Sequence, residues 1–280
     1  MTEYWDRNWR RFAGEPQCAT PEWRRLELAV GLLRDDRASF VLDCGCGPGP
    51  SFPALLRAGM QVVGADSSAT MVEHAIEQGR SLGSDVEVVR WDMLTPWPTP
   101  LARPFDSVLL MSVLPYIDDP TPFFAQLPSL IRPGGLVIAT FPNILFDLFT
   151  VNAFTAGFIA EQLVSPALSG DEKSTVSQAL HQLHPAQPIF PEGSVYATRL
   201  PTRRYNPLTI ADEFACHGLI VESLRFMNSH AVPPQFAAIL GQERLKALNQ
   251  AAEQRLNDCH WREYFTCSTF MAVARLPSPL

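Results

Sequence analysis

Lysine is nearly missing from this 280-residue chain: Lys and Arg total 22, and of these only Lys173 and Lys246 are lysines. Schiff-base chemistry is therefore left with two candidate amines, neither in an apolar, pocket-like stretch. Long apolar runs are missing too. No stretch of about 18 apolar residues exists. The opening Met1-Thr2-Glu3-Tyr4-Trp5-Asp6-Arg7 is polar and aromatic where a signal peptide has a basic start and an apolar stretch. A soluble, cytoplasmic protein with no membrane partner is expected. The six cysteines (18, 44, 46, 216, 259 and 267) never stand in C-x-x-C spacing, so they read as reduced, packed thiols and support neither a zinc site nor a disulfide framework. Positive charge is in deficit, with 29 Asp and Glu giving a net charge of −7. A surface of that sign repels a polyphosphate backbone, and no nucleic-acid partner is expected.

What is present is a globular balance of 46% hydrophobic and 18% charged residues, in a length that holds one large domain or two small ones. From residue 39 to 141 one pattern repeats: a short β-rich apolar run, a turn, then a helix-like segment. The runs are Ser39 to Asp43, Gln61 to Ala65, Val86 to Arg90, Phe105 to Met111 and Leu136 to Phe141. Their nearly continuous apolar character suits parallel strands covered on both faces. Crossover helices fit Ser51 to Ala58, Ser68 to Ser81 and Asp119 to Ile131, and Pro133-Gly134-Gly135 makes a turn that launches the fifth strand.

The alternation breaks at Ile144. Residues 144 to 204 carry two amphipathic helical segments, around 144 to 164 and 171 to 183, and a proline-rich loop. The α/β pattern resumes with a helix over Pro207 to His217 and a strand over Leu219 to Phe226. After a second insertion at 227 to 262 it ends on a strand from Tyr264 to Leu276. The expected architecture is α/β: a doubly wound, seven-stranded, mostly parallel sheet, with its core in 39–143 and 205–280 and helical cap insertions at 144–204 and 227–262. In an open parallel sheet, a segment that follows a strand starts at the carboxyl edge, where ligands bind. Both insertions are therefore expected to roof the ligand crevice; peripheral decoration or a contact in a homodimer is the alternative. Residues 1–38, with Tyr4, Trp5, Trp9 and Phe12 near the start, read as an N-terminal helical lid or as packing for the sheet edge.

The strongest local signal is Val41-Leu42-Asp43-Cys44-Gly45-Cys46-Gly47-Pro48-Gly49, a strand running into a glycine-dense turn and then a helix. Glycines admit positive φ and remove the Cβ that holds a ligand away from the backbone. The G-x-G-x-x-G dinucleotide pattern fails here, because its last glycine falls on Pro50 counting from Gly45 and on Phe52 counting from Gly47. Pro48 also removes an N–H that could hold a pyrophosphate. Asp66 follows the second strand, where an acid accepts both hydroxyls of a ribose. Asp92 ends the third strand and can accept from an exocyclic amino group, with Trp91 and Met93 as apolar contacts to a purine. Each aspartate alone also suits a helix cap or a turn.

Together these segments resemble the class I S-adenosylmethionine-dependent methyltransferases, with Leu42 to Gly49 as the first motif and Gly64-Ala65-Asp66-Ser67 as the second. The resemblance continues through Trp91-Asp92-Met93, Phe105 to Leu114 and Arg132-Pro133-Gly134-Gly135-Leu136. It implies a Rossmann-like methyltransferase fold and S-adenosylmethionine as cofactor. Asp43, Gly45 and Gly47 would border its methionine end, with Cys46 in the same turn. Asp66 and Ser67 would meet the ribose, Asp92 with Trp91 and Met93 the adenine, and Met111 and Ser112 would lie beside the sulfonium. The first insertion resembles that of bacterial small-molecule methyltransferases, so the partner expected is a small-molecule acceptor.

Because the sulfonium methyl is already activated, such an enzyme needs chiefly to align a nucleophile in line with the departing sulfur, and a hydroxyl acceptor gains further from a general base. His181 and His184 in the first insertion and His230 in the second are the base candidates; Tyr116, after the fourth strand, could orient the acceptor or serve as pocket wall. These histidines favour oxygen over nitrogen as the acceptor atom. His74 and His217 read as structural. No metal site is expected, Asp118-Asp119 with Asn143 being the nearest approach. The competing functions are a nicotinamide-dependent oxidoreductase, disfavoured by Pro48 and the missing glycine, and a cofactor-binding subunit without turnover.

Overall fold

The computed structural model describes residues 2–13, 20–98, 103–164, 168–183, 202–254 and 260–278. A short helix, α1 (Thr2–Asn8), precedes α2 (Pro21–Asp35), whose first turn is closed by Thr20: its hydroxyl accepts from the Trp23 N–H at 3.2 Å. The alternating region follows as β1 (Phe40–Cys44), α3 (Phe52–Arg57), β2 (Gln61–Asp66), α4 (Ala69–Ser81), β3 (Glu87–Arg90), β4 (Phe105–Leu110), α5 (Thr121–Leu130) and β5 (Ile131–Pro142). Beyond it come α6 (Asp147–Thr150), α7 (Ala153–Phe158), α8 (Gly170–Leu183), α9 (Ile210–Ala215), β6 (Ile220–Ser229), α10 (Ala237–Leu240), α11 (Gln242–Glu253), α12 (Glu263–Thr266) and β7 (Cys267–Arg275). The seven strands form one sheet in the order β3-β2-β1-β4-β5-β7-β6. The pairs β1/β2, β1/β4, β2/β3 and β4/β5 are parallel, as the near-continuous apolar runs require. None of the helices among the described residues is long and apolar enough to cross a membrane.

The chain divides into two compact units. The first is Met1–Thr140 with Ile210–Ser223 and Met271–Leu280. Its core is set by β1 and β4, where Val41, Leu42, Val108 and Leu109 have no exposed surface, with Phe52, Leu55 and Phe123 from the helices equally enclosed. A single carboxylate clasps the amino ends of the central strands. Asp106 Oδ2 accepts from the Ser39 N–H, the Ser39 hydroxyl and the Phe40 N–H at 2.8, 2.8 and 2.9 Å, and Oδ1 accepts from Arg132 Nε at 2.9 Å. Burial pushes this carboxyl up, but the four donors outweigh it and hold it at about 2.

The turn expected at Pro133-Gly134-Gly135 lies inside β5, as an irregularity of the strand. The β4/β5 register jumps from Phe105↔Ile131 to Ser107↔Leu136. Gly135 is required there, because a Cβ on it would lie 2.7 Å from the Asp106 carbonyl oxygen.

The second unit is Phe141–Thr209 with Leu224–Phe270. The helix expected over 144 to 164 is broken at Val151, which takes φ 54°, and Asn152 restarts the chain as the cap of α7 by accepting from the Phe154 N–H at 2.8 Å. The strand expected from Tyr264 starts instead at Cys267, after one turn of helix. Asn143 Nδ2 donates to the carbonyls of Tyr264 and Cys267 at 2.7 and 2.8 Å, which fixes that turn against its local β propensity.

Candidate cofactor site

The first unit brings the glycine-dense turn and Asp66 together. Gly45, Gly47 and Gly49 have φ of 72°, 54° and 84°, so the turn has a left-handed residue at every second position. The Gly45 and Cys46 N–H groups donate to the Ala65 carbonyl at 2.7 and 3.0 Å, and the Gly47 N–H donates to Asp66 Oδ2 at 3.0 Å. Asp66 Oδ1 accepts from the Ser68 N–H at 2.9 Å. The turn and the acid that follows β2 are thus one hydrogen-bonded piece. Burial pushes Asp66 above the usual carboxylate range, with Asp6 adding to it, while backbone N–H groups of Ser68, Gly47 and Ser67 pull the other way. Asp43 is buried beneath the turn, accepts from the Ser51 hydroxyl, and is pushed by burial up to about 6 against that bond. Cys46 is buried beside it, and Ser67 is exposed.

At the end of β3, the three expected contacts separate. Met93 is buried. Trp91 is a core residue, with its ring 4.7 Å from Trp97 and its indole N–H donating to the Thr95 carbonyl at 3.0 Å. Asp92 is exposed and turns the chain by accepting from the Leu94 N–H at 3.0 Å. At the end of β4, Met111 and Ser112 are half-buried. Ser112 holds φ 63°, a conformation costing on the order of 1–3 kcal/mol for a residue with a Cβ. Two bonds keep it there: its N–H donates to Thr140 Oγ1 at 2.8 Å, and its hydroxyl accepts from Arg25 Nη1 at 2.8 Å.

Arg25 escaped the sequence reading. It is buried, and burial lowers its pKa against the pull of Glu22, whose half-exposed carboxylate accepts from Nη2 at 3.2 Å. Its signal is periodic: Arg25, Ala29 and Leu33 are one buried stripe of α2, so an arginine occupies an apolar position. Tyr116 is also buried, with its ring 5.0 Å from Trp5.

The base candidates fall in the second unit. His181 is exposed on α8, its Nδ1 2.8 Å from the Ser177 carbonyl one turn back. His184 lies outside the described residues. His230 is half-buried, its ring 4.7 Å from Phe146 and its Nε2 3.4 Å from the Ser268 hydroxyl, and burial pushes it down to about 4. A buried ion pair unseen in the sequence joins Asp147 to Arg204, whose guanidinium also lies 3.8 Å from the Phe154 ring. Burial pushes Asp147 up to about 6 against that pairing. Among the described residues no group of three or more His, Cys, Asp or Glu side chains could hold a metal ion.

The first unit fits an adenosyl group with an amino-acid tail. A Cβ added at Gly47 would meet nothing nearer than Met71 Sδ at 4.0 Å, so the backbone there is bare toward open space. Asp66 is an acid suited to a diol, and Arg25 a buried cation suited to a carboxylate.

Comparison with known proteins agrees with this geometry. Residues 41–135 match the model of a methyltransferase domain family. A ubiquinone biosynthesis O-methyltransferase of Chelativorans sp. (strain BNC1) is 34% identical over 129 residues, 42% of this chain and 49% of that protein. The chain thus spans about half the length of this curated relative. Among solved structures, magnesium protoporphyrin IX methyltransferase from Synechocystis PCC 6803 with bound SAH has a TM-score of 0.55 at 15% identity, covering 98% of this chain and 97% of that one. The [4+2]-cyclase SpnF has a TM-score of 0.51 at 16% identity, covering 90% and 83%. These two likenesses concern the fold. The glycine turn and Asp66 both lie in the matched segment, so residues 41–135 are similar to a methyltransferase domain in sequence and the chain has the methyltransferase fold.

Proposed function

We propose that this chain transfers a methyl group from S-adenosylmethionine to an oxygen of a small organic acceptor. The observation that carries the reading is the joining of the glycine turn to Asp66 through the Gly47 N–H. When bound, the cofactor supplies a methyl group already activated by its sulfonium. Asp66 would accept from the sugar hydroxyls, using lone pairs not engaged by Gly47 and Ser68. Arg25 would hold the carboxylate of the amino-acid end. Met93 would pack on the purine, while Met111 and Ser112 would border the sulfur.

The preference for oxygen draws on the ubiquinone biosynthesis relatives, which are O-methyltransferases, and on the histidines of the insertions. Of these, His230 suits a base best. Burial keeps its imidazole neutral at physiological pH, so a lone pair is available, and the same burial makes it a weaker proton acceptor than a free imidazole. Tyr116 is proposed to orient the acceptor. The insertions 144–204 and 227–262 leave the ends of strands and are proposed to select the acceptor, which is why its identity resides in the least regular part of the chain.

The test is calorimetry with S-adenosylhomocysteine, followed by transfer of a labelled methyl to a panel of phenolic and alcoholic metabolites. Binding with transfer to a hydroxyl is expected; transfer confined to amines would overturn the oxygen assignment, and absence of binding would overturn the whole reading. A second reading is favoured by the cyclase of the same fold: the chain binds the cofactor but runs a different reaction. Tight binding without transfer to any member of the panel would support it.

A further inference from the structure

The N-terminal helix reaches the candidate cofactor site through three side chains. Asp6, on α1, accepts from the Ser68 hydroxyl. Trp9 stacks on His74 of α4 with ring centroids 3.4 Å apart and planes 23° from parallel. Trp5 sets its edge against Tyr116 at 5.0 Å. Ser68 also donates its N–H to Asp66 Oδ1 and, through its hydroxyl oxygen, caps α4 by accepting from the Met71 N–H at 3.1 Å. Two carboxylates, Asp6 and Asp66, therefore converge on one serine, one from its hydroxyl side and one from its amide side. Like charges so placed disfavour each other.

We infer that Asp6 is a positioning residue that couples docking of α1 to occupation of Asp66 by the cofactor's sugar; the inference rests on the cofactor reading given above. Hydroxyl donors bound to Asp66 delocalise its charge, weaken its repulsion of Asp6, and so tighten α1 on Ser68. Linkage makes the effect reciprocal: a docked α1 raises cofactor affinity by the same factor. The Trp9–His74 stack is a second foothold on α4 that does not involve either acid, so it keeps the helix within reach when the Asp6 contact is lost. The N-terminal segment then acts as a latch closed by the cofactor itself.

Hydrogen exchange of residues 2–12, with and without S-adenosylhomocysteine, tests this alongside calorimetric affinity in the parent chain, Asp6→Ala and Asp6→Asn. In the parent, the ligand is expected to slow exchange in α1. Asp6→Ala should bind about tenfold more weakly, with ligand-dependent slowing lost and the ligand-free Tm unchanged. Asp6→Asn keeps an acceptor for the Ser68 hydroxyl but not the charge, so α1 should be protected equally with and without ligand, where Asp6→Ala leaves it unprotected in both, and by the same reciprocity its affinity should fall as in Asp6→Ala. A helix that merely packs would not separate the two variants in this way. A parent that binds the ligand with no change in α1 exchange, or an Asp6→Ala chain that binds as tightly as the parent, overturns the coupling and leaves the cofactor reading standing. A parent that binds no S-adenosylhomocysteine overturns the cofactor reading and the coupling with it.

Discussion

In the first unit the half-buried acid at a strand tip, Asp66, is held by backbone N–H groups, among them those of Gly47 and Ser68; in the second, the buried acid Asp147 meets an arginine of its own unit, and its backbone carbonyl accepts from the Thr150 and Thr155 hydroxyls at 2.8 and 2.7 Å. The same contrast separates Arg25, whose partners are a hydroxyl and a half-exposed carboxylate, from Arg204, stacked on Phe154 and ion-paired. In the first unit, Asp66 is oriented by backbone N–H groups and Arg25 by two side chains. Buried polar atoms of the second unit find their partners among its own side chains and backbone.

The contrast breaks most sharply at Asp66. Asp66→Ala would remove the two charge-assisted bonds proposed to a sugar, and calorimetry should record a loss of about 3 kcal/mol or more in S-adenosylhomocysteine affinity; an unchanged affinity would take the acid out of the site. In the second unit, Asn143→Ala should act on stability instead. Its side chain donates to two carbonyls and accepts from the Leu145 N–H at 3.0 Å, so three buried groups lose their partner. Urea unfolding should show a loss of about 3 kcal/mol, with ligand affinity of the folded protein intact.

Arg25→Ala sharpens the comparison within the ligand. It should weaken S-adenosylhomocysteine by about 2 kcal/mol while leaving adenosine, which has no carboxylate, bound as before; equal losses for both ligands would make Arg25 structural.

A last effect is on acid stability. His230 titrates at about 4 in the fold against 6.5 for a free imidazole, so between those values the unfolded chain binds a proton that the native chain does not, and stability falls as pH falls. Asp43 and Asp147, raised to about 6 from 3.8, act in the opposite sense over their own window, binding a proton in the fold first as pH falls. The difference between parent and His230→Gln therefore isolates the imidazole: the variant should lose less stability from pH 6.5 to 4. Below that range both chains should weaken alike as Asp106, depressed to about 2, takes up its proton.

Much of the first unit was legible because its information is local. A five-residue apolar run, a glycine turn and an acid one strand later state the fold and the bonded pair of turn and acid. Arg25 was hidden because its meaning depends on Ser112, 87 residues away, and on which face of α2 is buried. Asp106 was hidden likewise, since its partners lie in the residues leading into β1 and at the start of β5. In the second unit the periodicity over 144 to 164 was read as one helix. The break at Val151 is imposed by the Thr150, Asn152 and Thr155 side chains bonding one another at 2.9 and 3.2 Å, a competition with the helical backbone that apolar spacing does not reveal. Trp91 looked like a ligand contact from its place beside Asp92, yet its ring is held by Trp97 and Phe123.

The bond from the Gly47 N–H to Asp66 has a consequence for redesign. Lengthening that acid to glutamate, the obvious way to retune the sugar recognition proposed for it, would also push on the glycine turn it holds, so side-chain reach and loop shape cannot be varied separately at this position. An attempt to enlarge the proposed site for a bulkier cofactor analogue is better begun at Met93, proposed to pack on the purine, whose flexible thioether side chain takes no part in that bond.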